Sequence, residues 1–271
     1  MDSGVRFTLK FWGVRGSIPT PQVENLRYGG NTTCLEIRAP GHQPMVIDAG
    51  SGARLLGNAL VAEPLITILF THFHWDHIQG LPFFAPMFRK ESAVTLASSH
   101  PPQDLRDVFN AMLRAPFHPI DFDCFSAVTE LRQVAEPWHH AGFEIRPFAL
   151  HHPQGATGYR FERDGAVLVH ASDHEHGDAL ADRTLLDHSR KADMLVYDAQ
   201  YTPQEYESQK GRGHSTWLAA VKLAAMADVK RLVLFHHDPS HSDDVLEGIL
   251  AEAQREFPQT SLAREGGVLE F

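Results

Sequence analysis

Short apolar runs recur along the chain, and each closes on a turn or on a cluster of polar residues. This pattern predicts strands over residues 5–12, 33–38, 44–48, 65–70, 93–97 and 127–134. Further strands are expected over 142–150, 158–163, 166–171, 194–197 and 231–235, with 267–271 as a last addition. Several of these alternate apolar and polar residues, as half-buried antiparallel strands do. Asp164-Gly165 stands between two of them and is a strong hairpin signal. Helical patterning follows Gly52 and covers 102–113, 215–227 and 243–257. In the third of these, Leu218, Val221, Leu223 and Ala225 fall near helical spacing, and the Ser215-Thr216 pair can cap its first turn. Many strands, with helices between and after them, imply an α/β fold of two sheets covered by helices.

The polar residues that close the strands carry the chemistry. Thr71-His72-Phe73-His74-Trp75-Asp76-His77 follows the apolar run at 65–70, and places three imidazoles and a carboxylate on one loop. Neutral imidazole nitrogen with carboxylate oxygen is a donor set for divalent transition metals. Four more strands end in the same way: at His151-His152, at Asp173, at Asp198 and at His236-His237. A single histidine at a strand end is usually a solvated loop residue. Five such endings with complementary donors point to one site at one sheet edge. Adjacent residues of an extended segment face opposite ways, so only one of each His-His pair can contribute.

Composition narrows the partners. The chain has 271 residues and 43% hydrophobic residues, enough for a large core; the expectation is one domain over 1–271. Acidic residues outnumber basic ones 34 to 24, giving a formal charge of −10, which disfavours gripping a long nucleic acid. The 18 histidines fit metal chemistry. Two cysteines, Cys34 and Cys124, make neither a disulfide framework nor a CxxC motif. No leader-like pattern opens at Met1-Asp2-Ser3-Gly4, and no run has the length of a membrane span. The expectation is a cytoplasmic protein with no membrane partner.

With these motifs in view, the chain resembles the metallo-β-lactamase fold hydrolases. The match runs His72-x-His74-x-Asp76-His77, then a His, Asp173 and His236. More narrowly it is similar to their phosphodiesterase branch, which holds tRNA 3′-processing endonucleases and cyclic-phosphate phosphodiesterases. Phe11-Trp12-Gly13-Val14-Arg15-Gly16-Ser17, Gly30-Asn31-Thr32-Thr33-Cys34, Asp48-Ala49-Gly50-Ser51-Gly52 and Gly213-His214-Ser215-Thr216 carry that narrower likeness.

The resemblance implies an αββα four-layer sandwich and two divalent ions, zinc or manganese, with iron also compatible. It implies that His72, His74 and His152 hold one ion, that Asp76, His77 and His236 hold the other, and that Asp173 bridges them. His152 and His236, rather than His151 and His237, are chosen from the family pattern. His214, oriented by Asp198, is implied as the catalytic acid, with Asp76 also at the reacting centre. Asp48 is expected to orient ligand histidines. The implied reaction is hydrolysis of a phosphodiester by a hydroxide bridging the ions.

RNA-processing members carry an inserted arm between the third-motif His and the bridging Asp. Here only the Asp-Gly hairpin separates His152 from Asp173. The expected substrate is therefore a small phosphodiester, cyclic phosphates and cyclic nucleotides included, with no long nucleic acid. The alternative is acyl hydrolysis of a lactone, thioester or β-lactam; a metal-stabilised sensor or scaffold is a third reading. A homodimer is common in the resembling branch. Arg15 is open to two readings, a phosphate contact or a surface residue. For His174 and His176 a solvated loop is the expectation, with pocket lining as the alternative; His237 is a structural neighbour or a substrate contact, and the loop over Phe109–Phe125, with Phe117, His118 and Phe122, makes either a pocket wall or lid or ordinary core.

Overall fold

A computed structural model describes residues 4–271 of the chain; Met1-Asp2-Ser3, part of the segment read as lacking a leader, lie outside the described residues. The first sheet is built from β1 (Thr8–Gly13), β2 (Cys34–Arg38), β3 (Met45–Ile47), β4 (Leu65–Leu69), β5 (Ala93–Ser98) and β6 (Val128–Gln133). The second contains β7 (Trp138–His140), β8 (Phe143–Leu150), β9 (Ala156–Arg163), β10 (Ala166–Ala171), β11 (Met194–Asp198), β12 (Leu232–Phe235) and β13 (Thr260–Leu262). The last strand, β14 (Val268–Glu270), returns to pair antiparallel with β1. The two seven-stranded sheets run β14-β1-β2-β3-β4-β5-β6 and β13-β12-β11-β10-β9-β8-β7. In each, antiparallel strands give way to parallel ones: β3 to β6 are parallel neighbours, as are β10 to β13.

Helices α1 (Ala53–Ala59), α2 (Trp75–Ile78) and α3 (Pro102–Met112) belong to the first half. Helices α4 (Ala179–Ser189), α5 (Pro203–Gln209), α6 (Trp217–Ala227) and α7 (Asp243–Glu256) belong to the second. Three apolar layers separate these elements. Phe7, Leu9, Phe11, Ile37, Phe143, Phe161, Leu168 and Phe235 fill the space between the sheets. Leu56, Ile66, Ile68, Leu105 and Phe109 join the first sheet to α1 and α3, and Val169, Leu195, Ala220, Val221 and Leu246 join the second sheet to its helices. Helix, sheet, sheet, helix is the αββα sandwich. β10 shows how the sequence builds it. Ala166 and Leu168 pack between the sheets while Val167, Val169 and Ala171 pack against helices, so a strand buried on both faces is apolar at every position but His170.

The helical and strand patterning locates most elements, with instructive exceptions. α4 was not expected: of its residues only Leu185 and Ser189 are buried, so it shows almost no apolar stripe, and Asp178 caps it by accepting from Leu180 and Ala181 N–H. α5 buries nothing and is held by a Thr202–Glu205 capping box with Pro203 at its first turn. β7 and β13 have three residues each, too short to read as periodic. At the N-terminal end, residues 5–7 fall outside the first strand, which runs Thr8–Gly13. No helix among the described residues is long and apolar enough to cross a membrane.

Candidate metal centre

The site lies where strands from both sheets end at the same edge. Asp48 follows β3, the His72–His77 loop follows β4, His152 follows β8, Asp173 follows β10, Asp198 closes β11 and His236 follows β12. Asp48, Asp173 and His236 each leave their strand in the left-handed region, with φ of 58°, 63° and 59°. Asp tolerates this conformation; a histidine there costs about 1–3 kcal/mol and persists where surrounding structure enforces it. The backbone of Gly16 closes against the His236 ring and Gln200, leaving no room for a Cβ.

All seven residues expected to be metal ligands converge. His152 Nε2 lies 3.1 Å from His74 Nδ1, and both His72 Nε2 and His152 Nε2 lie 3.7 Å from Asp173 Oδ1. On the other side, His77 Nε2 and His236 Nε2 lie 3.2 and 3.4 Å from Asp173 Oδ2, and 3.4 and 3.2 Å from Asp76 Oδ2. Donors bound to a tetrahedral ion at about 2.0–2.2 Å stand about 3.3–3.6 Å from one another. The observed spacings, 3.1 to 3.7 Å, bracket that edge length. Two further observations fit a cation. His72 Nε2 and His77 Nε2 are buried without a hydrogen-bond partner, and leaving such an atom unpaired costs about 1–3 kcal/mol.

Outer contacts select which ring atom faces the centre. His77 Nδ1 pairs with Asp48 Oδ2 at 2.7 Å, and Asp48 also accepts from Thr71 N–H and Oγ1–H. His152 Nδ1 meets the Gly213 carbonyl at 2.8 Å, and His236 Nδ1 meets Gln200 Oε1 at 3.0 Å. In these three rings the Nδ1–H donates outward and Nε2 turns to the cluster. His74 is reversed: its Nε2 meets Gln154 Oε1 at 2.8 Å, so Nδ1 turns inward. Such contacts fix tautomer and orientation around metals. Ser17 N–H donates to Asp76 Oδ2 at 2.8 Å.

His214 sits on the rim, its ring stacked 4.9 Å from that of His236. Its Nδ1 pairs with Asp198 Oδ2 at 2.8 Å, while Asp198 also accepts the N–H groups of Asp173, Gln200 and Ser215. Burial pulls the His214 imidazole down, but Asp198 first, then Asp173 and Asp76, outweigh it and push it up to about 9. Burial and then its imidazole neighbours lower His72, and burial likewise lowers His152. Burial opposes protonation of His77, yet Asp173, Asp76 and Asp48 raise it well above its ordinary value. A cation entering this group would take the place of that proton.

The other residues singled out in the sequence go elsewhere. Arg15 neither meets a phosphate-sized opening nor lies at the surface. It is fully buried and donates to the carbonyls of Gly29, Asp238 and His241 at 2.9, 3.1 and 2.6 Å. His174 is not solvated: it is buried, with Nε2 on Asp182 and Nδ1 accepting the His151 N–H. His176 is half-buried against the Tyr206 ring. His151 meets the Glu175 carbonyl, and His237 donates to that of Ala263, away from the cluster. Phe109 and Phe122 stack in the core and Phe117 is exposed.

Sequence reasoning missed Gln154, Glu175 and Gln200, which hold His74, the Gly211–Gly213 turn and His236. Each stands two positions after a residue of the cluster or its rim: His152, Asp173 and Asp198. That shared spacing, without the fold, does not single them out.

Comparison with known proteins agrees with this architecture. A family model described as "Beta-lactamase superfamily domain" matches residues 45–237, more than two thirds of the chain. A ribonuclease Z of Bradyrhizobium sp. (strain ORS 278) is 28% identical over 306 aligned positions, covering 96% of this chain and 98% of that protein. Among solved structures, the metallo-beta-lactamase fold protein YhfI from Bacillus subtilis superposes with a TM-score of 0.75 at 18% identity, covering 98% of this chain and 99% of its own. A diphosphatase from the PhnP family superposes at 0.72 with 21% identity, covering 98% and 97%. The chain belongs to the beta-lactamase superfamily, with the metallo-β-lactamase fold.

Proposed function

We propose that this protein is a metal-dependent phosphodiesterase with two divalent ions, acting on a small phosphodiester. The observation that carries the reading is the division of Asp173: one carboxylate oxygen faces His72 and His152, the other faces His77 and His236. His72, His74 and His152 would hold one ion, Asp76, His77 and His236 the second, with Asp173 shared. Zinc, manganese and iron all suit this nitrogen and oxygen set. Such a pair supplies an activated water at neutral pH and stabilises charge on the attacked group.

The remaining chemistry belongs to the chain. Asp198 takes the Nδ1–H of His214 and leaves Nε2 as the atom that can give a proton to a leaving oxygen. Before any cation is bound, Asp198 outweighs burial and helps push the ring up to about 9, which favours a proton on His214; bound cations lower that value. An imidazole acid beside the ion pair favours an alkoxide leaving group of a phosphodiester, and is less needed by an acyl substrate. The relatives named ribonuclease Z and the PhnP-family diphosphatase support phosphorus chemistry over acyl transfer.

Three observations favour a small substrate. The segment between His152 and Asp173 holds only the β9–β10 hairpin. At least 35 positions of the alignment with the Bradyrhizobium ribonuclease Z (306 − 271) have no counterpart here. The net charge of −10 works against holding a polyanion. One domain over residues 1–271 carries the whole site.

The test loads the protein with zinc or manganese. Bis-p-nitrophenyl phosphate, a cyclic nucleotide, a thioester and a precursor tRNA are then offered to one preparation. Turnover of the diesters is expected. A fully loaded protein inert to both diesters would overturn the reading, and cleavage of the RNA with the small diesters untouched would overturn the substrate size.

A further inference from the structure

Glu175 is a carboxylate that the metal cluster does not use, yet it touches three segments of the site. It is buried two positions after Asp173. Its backbone N–H donates to the His151 carbonyl at 2.7 Å. Oε1 accepts the Gly211 N–H at 2.7 Å and the Tyr206 hydroxyl at 3.0 Å; Oε2 accepts the Gly213 N–H at 2.7 Å. Bonds from amides to a carboxylate are shorter and stronger than neutral ones, so this turn is held firmly.

What the turn does follows from its next contacts. Gly211 and Gly213 have φ of 83° and 89°, a left-handed geometry open to glycine, which aims both N–H groups at one carboxylate. The Gly213 carbonyl then accepts His152 Nδ1–H at 2.8 Å. The residue after Gly213 is His214. One side chain thus fixes the acceptor that sets the tautomer of a metal-facing imidazole and the backbone from which the rim imidazole departs. Asp48 does this for His77 alone, and Gln200 for His236 alone. Glu175 couples the two roles.

We propose that Glu175 is a positioning residue for both His152 and His214, acting through the Gly211–Gly213 turn. Glu175→Gln keeps the size of the side chain. Its amide oxygen can satisfy one glycine N–H, but its NH2 then faces the other, donor against donor. The turn loosens, the Gly213 carbonyl leaves His152, and His214 loses its fixed origin.

The test has three readouts on intact protein: the first rests on the geometry alone, the second on the two-ion part of the proposed function, and the last on its phosphodiesterase part. In 15N-labelled protein, the Gly211 and Gly213 amide signals and the His152 Nδ1–H signal should move in Glu175→Gln. In stepwise zinc titration, one of the two ions should bind about 10- to 100-fold more weakly, as loss of an outer-sphere partner does, while the other stays within about threefold. In turnover, a diester with an alkyl leaving group should lose at least tenfold more kcat than one leaving as p-nitrophenolate, which needs no acid. Glu207→Gln, an exposed carboxylate on α5 paired only with Lys210, serves as the control and should change none of these.

Unmoved His152 and glycine signals, or equal weakening of both ions, would overturn the proposal. So would equal losses on both leaving groups. If Glu175→Gln does not fold, Glu175→Asp carries the same predictions, because it keeps the charge but is one methylene too short to reach both amides. Wild-type protein that turns over no diester removes the phosphodiesterase reading alone. The amide signals and the titration still decide the role of Glu175.

Discussion

Asp48 Oδ2 lies 2.7 Å from His77 Nδ1, so the ring presents Nε2, bare and buried, to Asp76 and Asp173. Asp48→Asn should weaken this arrangement without removing a metal-facing group. The amide can still accept one bond, but its NH2 opposes the Thr71 donors or the His77 N–H. The expected loss is about 10- to 100-fold in affinity for one ion. Titration of the metal-free variant with zinc reads it, and unchanged affinity for both ions would show that the contact is structural only.

Asp173 is expected to matter to both ions at once. In Asp173→Asn the fold should persist, since the strands below it are packed independently of its charge. Bound metal should fall from two equivalents to one or none, and diester turnover by about a hundredfold or more. Elemental analysis of purified protein gives the first number and a bis-p-nitrophenyl phosphate assay the second. Two tightly held equivalents in this variant would refute the shared role.

The strands and the strand-end donors were legible because they share one cause. A strand buried on both faces is almost wholly apolar, so the polar residues that follow it stand out, as Asp173 does shortly after β10 and His236 directly after β12. What sits around those donors was not legible. Gln154, Glu175 and Gln200 are ordinary polar loop residues until the chain folds and brings His74, Gly213 and His236 to them. Arg15 misled for the opposite reason. A glycine-flanked arginine reads as exposed, and only the tertiary fold brings the carbonyls of Gly29, Asp238 and His241 to one guanidinium. α4 and α5 were invisible because caps at Asp178 and Thr202 define them, not apolar faces.

His214 should reveal itself through the leaving group and pH together. His214→Ala should lower kcat for an alkyl-leaving diester by about 10²–10⁴-fold, and much less for a p-nitrophenyl diester. The pH profile follows from its protonation. The ring is pushed up to about 9, so its proton is present at neutral pH and is lost as pH rises through that value. Bound cations can only lower this value, so the alkaline limb for the alkyl diester should lie at or below about 9. That limb should vanish in His214→Ala. A limb that survives the substitution assigns the proton to another group.

His170 offers a test of stability that leaves the cluster's own residues in place. It lies on β10, faces Phe235 in the core between the sheets, and has both ring nitrogens buried without a partner. Burial, with some help from His77, pushes its imidazole down to about 3. The folded protein therefore keeps His170 neutral, while an unfolded histidine, with a pKa near about 6.5, takes up a proton below that value. The unfolded state binds more protons between about 6.5 and 3, so stability falls as pH drops through that window. By pH 5 the difference is about 2 kcal/mol at 1.36 kcal/mol per unit. His170→Leu removes the unpaired nitrogens and this proton uptake. Urea unfolding of chelated protein at pH 7 and pH 5 should show the variant losing about 2 kcal/mol less than wild type between the two. Equal losses would mean that His170 is solvated or paired in solution, contrary to its place in the core.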